Sequence, residues 1–199
     1  MFPTDLDGHY RALARGLATL SPRHQLVFAA SCAEVLKANY RLFVADTGWG
    51  DAELLEVCVE KVWECATGTP VPEVSGLIER CKKIAPDTED FDEASTSVAL
   101  NAVSAAVSAL KACTSPSIGD SIDAAAVAID TVWGFVQIRD DLDPNDPALE
   151  KKILGDRLMD GELARQRQIL QTLRTIPALD AAAIDDIRQA SRPLIVRHK

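Results

Sequence analysis

The sequence predicts an all-α fold, a single-domain bundle of about seven or eight mostly antiparallel helices. Three observations carry that prediction. Apolar residues recur at the 3.6-residue helical spacing along nearly the whole chain, with no convincing strand. Alanine is abundant and aromatic residues are only 5%, a composition that favours helices. Ser-Pro, Asp-Pro and glycine breakers separate the periodic segments by short turns, and helices so joined pack as antiparallel neighbours. An apolar fraction of 47% against 26% charged residues is the balance of a chain that folds. Its 199 residues are read as one domain, 1–199, able to bury about 70% of its unfolded surface.

The first helix carries Leu6, Tyr10, Leu13, Leu17 and Leu20 on one stripe, with Arg11 and Arg15 opposite. Ser21-Pro22 opens a long second helix to about Ala45, Ser21 as N-cap and Pro22 at the first helical position. Thr47-Gly48-Trp49-Gly50 breaks it, and Asp51 caps a third helix whose inward face is Leu55, Cys58, Val59, Val62, Cys65 and Ala66. A shorter helix follows Gly68, Pro70 and Pro72, with Val74, Leu77, Ile78 and Cys81 inward, and Pro86 stops it. An Ala/Ser-rich helix from about Phe91 to Cys113 and a partner from about Asp120 to Leu142 are read as the central pair. Asp146-Pro147 starts a long polar helix to about Thr175, weakened at Gly155 and Gly161. A last helix spans about Asp180 to Ser191, and the tail 192–199 is expected to be loose.

Charge excludes some partners. With 21 Lys+Arg and 30 Asp+Glu the formal charge is −9, which repels nucleic acid and anionic membranes, and the cations are scattered. No nucleic-acid or membrane partner is expected. The apolar stretches Val98 to Leu110 and Ala124 to Ile138 are interrupted by polar residues, so no membrane span is read from them. The N-terminus lacks a basic segment followed by an apolar one, so a cytoplasmic location is expected. Five cysteines, Cys32, Cys58, Cys65, Cys81 and Cys113, without a Cys-x-x-Cys pair, are read as reduced core thiols.

One run is distinctive: Phe28-x3-Cys32-x-Glu34-x4-Asn39-Tyr40-x2-Phe43-x3-Thr47-Gly48-Trp49-Gly50-Asp51, followed by Val62-Trp63-Glu64. With Ala85-Pro86, Asp90-Phe91-Asp92 and Asn145-Asp146-Pro147-Ala148-Leu149-Glu150, it resembles the YjaG-like family of bacterial proteins of unknown function over nearly the whole chain. That resemblance implies an all-helical cytoplasmic protein and supplies no reaction or functional residue.

Several acidic groups invite a chemical reading. Glu56, Glu60 and Glu64 stack at four-residue spacing on the third helix; like charges so placed cost a few tenths of a kcal/mol per pair, and Lys61 with cations of neighbouring helices is the expected remedy. His9, His24 and His198 have no Glu three residues before them, which excludes a bundle di-iron site. A calcium loop begun at Asp141 fails at Asp146 in place of Gly and at Lys152 in place of Glu; a helix end and an Asp146 cap explain the segment better. Asp87, Glu89, Asp90, Asp92 and Glu93 are expected to surround a helix start, where the dipole favours acids. Asp130 is expected either to face solvent or to join a polar seam with Ser97, Asn101, Ser104 and Ser108. Trp49 is either a core plug or an exposed anchor.

These readings favour a non-enzymatic protein acting through protein contacts, with no cofactor, no metal, an unidentified protein partner and a homodimer as one arrangement. Asn39, Tyr40, Trp49, Asp90 and Asp92 are the candidate interaction residues. The alternative is a small-molecule or divalent-metal enzyme using Glu60, Glu64, Asp90, Asp92 or Asp130. Convergence of three or more of these acids in a pocket would favour it.

Overall fold

A computed structural model of the chain describes residues 5–91 and 95–196. Among them are nine helices and no strand: α1 (Leu6–Leu17), α2 (Pro22–Thr47), α3 (Ala52–Thr67), α4 (Val74–Lys82), α5 (Ser95–Thr114), α6 (Ile118–Arg139), α7 (Leu149–Leu154), α8 (Arg157–Thr175) and α9 (Ala181–Ala190). The all-helical single-domain expectation is met.

The caps follow the sequence. Ser21, Asp51, Ser117 and Asp180 each accept a backbone N–H of the first turn of α2, α3, α6 and α9, and Gly48 and Gly68 end α2 and α3 in the left-handed conformation. The long α2 is the pillar of the bundle: every residue from His24 to Ala33 is buried, and it packs most extensively on α5, with α3, α6, α8 and α9 around it. An all-round buried segment needs apolar residues on every face, which Leu26 to Ala30 supply. The centre is therefore α2 with α5 and α6, rather than α5 and α6 alone. By length and composition α5 and α6 would each suffice to cross a membrane, in contrast to the sequence reading. Their apolar faces pack into the bundle core, with Ala99, Ala102, Ala106, Ala124, Ala125 and Ala128 fully enclosed. A second apolar cluster joins Ile129, Val132 and Val136 of α6 to Ile153, Met159 and Leu163.

Four expectations are corrected. Phe91 is not helical, and α5 is described from Ser95. Helix α6 ends at Arg139, because Asp140 leaves helical geometry and Asp141 takes a positive φ of 49°. The polar helix expected from Asp146 to Thr175 is two: the Asp146 carboxylate accepts the Ala148 N–H in a turn before α7, and Asp156 adopts extended geometry after Gly155 to cap α8 through the Leu158 N–H. The tail is not loose over 192–196. Leu194 N–H donates to the Val35 carbonyl at 2.7 Å, Asn39 Nδ2 donates to the Leu194 carbonyl at 2.8 Å, and Val196 N–H donates to Asn39 Oδ1 at 3.2 Å.

Candidate functional site

The turn between α2 and α3 follows from its two glycines, with φ of 70° at Gly48 and 101° at Gly50, a region closed to most other residues. At Gly50 a Cβ would collide with Tyr40 Oη. Tyr40 is fully buried; its hydroxyl donates to the Ile84 carbonyl at 2.7 Å and accepts the Asp51 N–H at 3.3 Å. Asn39 is buried against the tail. Neither candidate is available to a partner: both use their polar atoms to hold the bundle together, and the interaction reading of them is corrected here.

Trp49 differs. Its indole stays 37% exposed while its ring meets Phe43 edge-on with centroids 6.1 Å apart and tilts against Phe91 at 5.3 Å. It is neither plug nor free side chain but an ordered aromatic edge. Asp87, Glu89 and Asp90 beside Phe91 are all exposed. Asp87 accepts the Glu89 N–H at 2.9 Å, and Asp90 N–H donates to the Asp87 carbonyl at 3.2 Å; their remaining oxygens face water. Asp92 and Glu93 lie outside the described residues.

The other acids disperse. Glu56 pairs with Lys37 at 3.0 Å and with Arg41, Glu60 with Arg188 at 3.1 Å, and Glu64 with Lys61 at 2.7 Å. The Arg188 guanidinium holds the Glu60 carboxyl below its ordinary range. Neighbouring cations relieve the Glu stripe, as the spacing required. Asp130 is exposed on α6; desolvation raises its carboxyl, and burial together with the Asp130 charge pushes the Tyr10 phenol up to about 12. The polar seam between α5 and α6 bypasses Asp130 and consists of Asn101 donating to Thr131 Oγ1 at 3.1 Å. Asp146 is tied to Lys152 at 2.7 Å. Among the described residues no three His, Cys, Asp or Glu side chains converge on a point that could hold a metal.

Sequence reasoning missed the most elaborate polar network. Glu162 of α8 is 3% exposed and accepts Arg165 Nε at 2.8 Å, Arg165 Nη2 at 2.6 Å and Gln166 Nε2 at 2.7 Å. Gln166 also donates to the Ala125 carbonyl, and its Oε1 lies 3.0 Å from His9 Nε2. Burial lowers the His9 pKa, against the hydrogen bond that His9 donates to Gln166 Oε1. Burial also opposes the Arg165 charge, yet the Glu162 carboxylate overrides it and the guanidinium is held charged. Arg165 lines a cavity of about 210 Å³ between α8 and α9, together with Ile169, Thr172, Ile176, Asp186 and Ile187. That is small against the 300–1,000 Å³ of typical ligand pockets, and Glu162, the Ser31 carbonyl and Cys32 Sγ already engage all three guanidinium nitrogens. One signal was present: Gln166 interrupts the apolar stripe Met159, Leu163, Leu170, Leu173, at a spacing where a core residue belongs.

A sequence model described as "Protein of unknown function (DUF416)" matches residues 13–194. The chain belongs to the DUF416 family. The crystal structure of a DUF416 family protein from Shewanella baltica OS155 is similar throughout, with a TM-score of 0.83 at 21% identity, covering 89% of this chain and 92% of that one. At that identity the likeness shows a shared fold and nothing of chemistry. No curated protein matches the chain. The family description assigns no reaction.

Proposed function

We propose that this DUF416 chain, within the YjaG-like bacterial group its motifs resemble, is a non-catalytic cytoplasmic protein that works by contact with another protein, anchored on Trp49. One observation supports this above the rest: the indole is ordered by Phe43 and Phe91 yet keeps 37% of its surface exposed. An aromatic side chain held in place before binding loses little further freedom when a partner covers it, which is why such residues dominate interface energies. The exposed Asp87, Glu89 and Asp90 alongside select a partner with an apolar notch rimmed by Lys or Arg.

Paired capture tests the reading. Tagged wild type, Trp49→Ala and a Val57→Ala control are expressed at equal level; Val57 is also exposed and apolar, on the outer face of α3. A protein retained by wild type and by Val57→Ala, lost from Trp49→Ala and weakened by salt is the expected result. Identical retention by all three chains would contradict it.

A further inference from the structure

The five cysteines are not scattered: four of them form two pairs. Cys58 of α3 and Cys81 of α4 are fully buried neighbours. Cys65 lies two turns further along α3, where Cys113 of α5 meets it, and both are partly exposed. The Cys65 thiol contacts the Cys113 carbonyl at 3.7 Å and the Cys113 thiol contacts the Ala109 carbonyl at 3.6 Å, which sets the Cys65 sulfur directly against residue 113.

We infer that Cys65 and Cys113 are a modification site, a dithiol that a small hydroperoxide converts to a disulfide while Cys58 and Cys81 stay reduced. The 3.7 Å approach of Cys65 Sγ to the Cys113 backbone supplies proximity, and partial exposure admits the oxidant; the inner pair is closed to it by burial. We assign Cys65 as the attacking sulfur and Cys113, whose thiol is held on the Ala109 carbonyl of its own helix, as the resolving one. The Cys65 sulfur attacks one peroxide oxygen as its thiol loses its proton, the O–O bond breaks, and the departing oxygen takes up that proton and leaves as the alcohol (water, for hydrogen peroxide), giving a sulfenic acid. The Cys113 sulfur then displaces that hydroxyl, which departs as water with the Cys113 proton. The two thiols lose two electrons and two protons, and one hydroperoxide is reduced to an alcohol and water. The bond ties the end of α3 to the end of α5 across 48 positions of chain. Restricting the unfolded chain in this way raises the melting temperature.

The test uses the full chain, reduced without air, titrated with hydrogen peroxide and mapped by mass spectrometry of unreduced peptides. A Cys65–Cys113 linkage formed before any other, with a raised melting temperature reversed by a thiol reductant, is expected. Dimedone labelling of Cys65 in Cys113→Ser, and a linkage undisturbed in Cys81→Ser, are the matching variant results. First linkage of Cys58 to Cys81, or progression of Cys65 to sulfinic acid without linkage, would overturn the assignment; the wild-type map decides this even if a variant folds poorly.

Discussion

The α8 network and the Trp49 turn invert what their sequences suggest. Glu162, Arg165, Gln166 and His9 bring together a buried acid, a cation, an amide and an imidazole, the residue types of a catalytic site, and nearly every donor and acceptor finds a partner inside the chain. The turn has simpler chemistry, an indole beside three acids, but these groups face outward. A polar group satisfied in the interior is committed to holding one arrangement, whereas a rigid group with unmet surface is free to act on another molecule.

Breaking the inner network has the largest expected effect. Glu162→Gln removes the buried charge that balances part-buried Arg165 and is expected to cost about 3–5 kcal/mol, read as a lower urea midpoint, while leaving Trp49-dependent capture of a partner intact in the folded fraction. Tyr40→Phe lies beneath the turn and removes the donor to the Ile84 carbonyl. A loss of about 1–3 kcal/mol is expected, and a near-neutral result would mean that the hydroxyl does not tie the Asp51 N–H to the Ile84 carbonyl.

The His9 contribution is pH-dependent. Its folded pKa lies below the ordinary 6.5, so as pH falls the unfolded chain binds the proton first. The stabilisation is whole above pH 6.5 and is lost as pH falls toward the folded pKa, with a slope of at most about 1.4 kcal/mol per pH unit. Urea midpoints measured across that window should flatten in His9→Phe. The smallest effect belongs to the surface: Arg41→Ala removes one of two partners of Glu56, and the expected loss is about 0.2–1 kcal/mol and fades with salt.

How much of this was legible in the sequence depended on how local the cause was. Ser21, Asp51 and Asp180 announced their helices because a cap acts within three residues, and Leu55 to Ala66 announced a buried face because periodicity is local too. The break at Gly155 was visible as a weakness but not as a stop, since the cap at Asp156 competes with a helix that propensity alone would continue. Asn39 and Tyr40 stood out for a reason opposite to the one inferred: each bonds to chain far away, at Leu194 and Ile84, and separations of that size leave no spacing to read. The same holds for His9 and Gln166, which are 157 positions apart. The sequence leaves Trp49 a choice between two states, and the contacts with Phe43 and with Phe91, outside any helix, define the intermediate one.

Photocrosslinking at position 49 tests the central claim most directly. The chain is expressed in its native host with benzoylphenylalanine in place of Trp49, or of Val57 as the control, and irradiated. A discrete adduct heavier than the chain, formed at position 49 and not at 57, is predicted; equal labelling at both positions, or none at 49, would contradict the assignment of this aromatic edge as the contact surface.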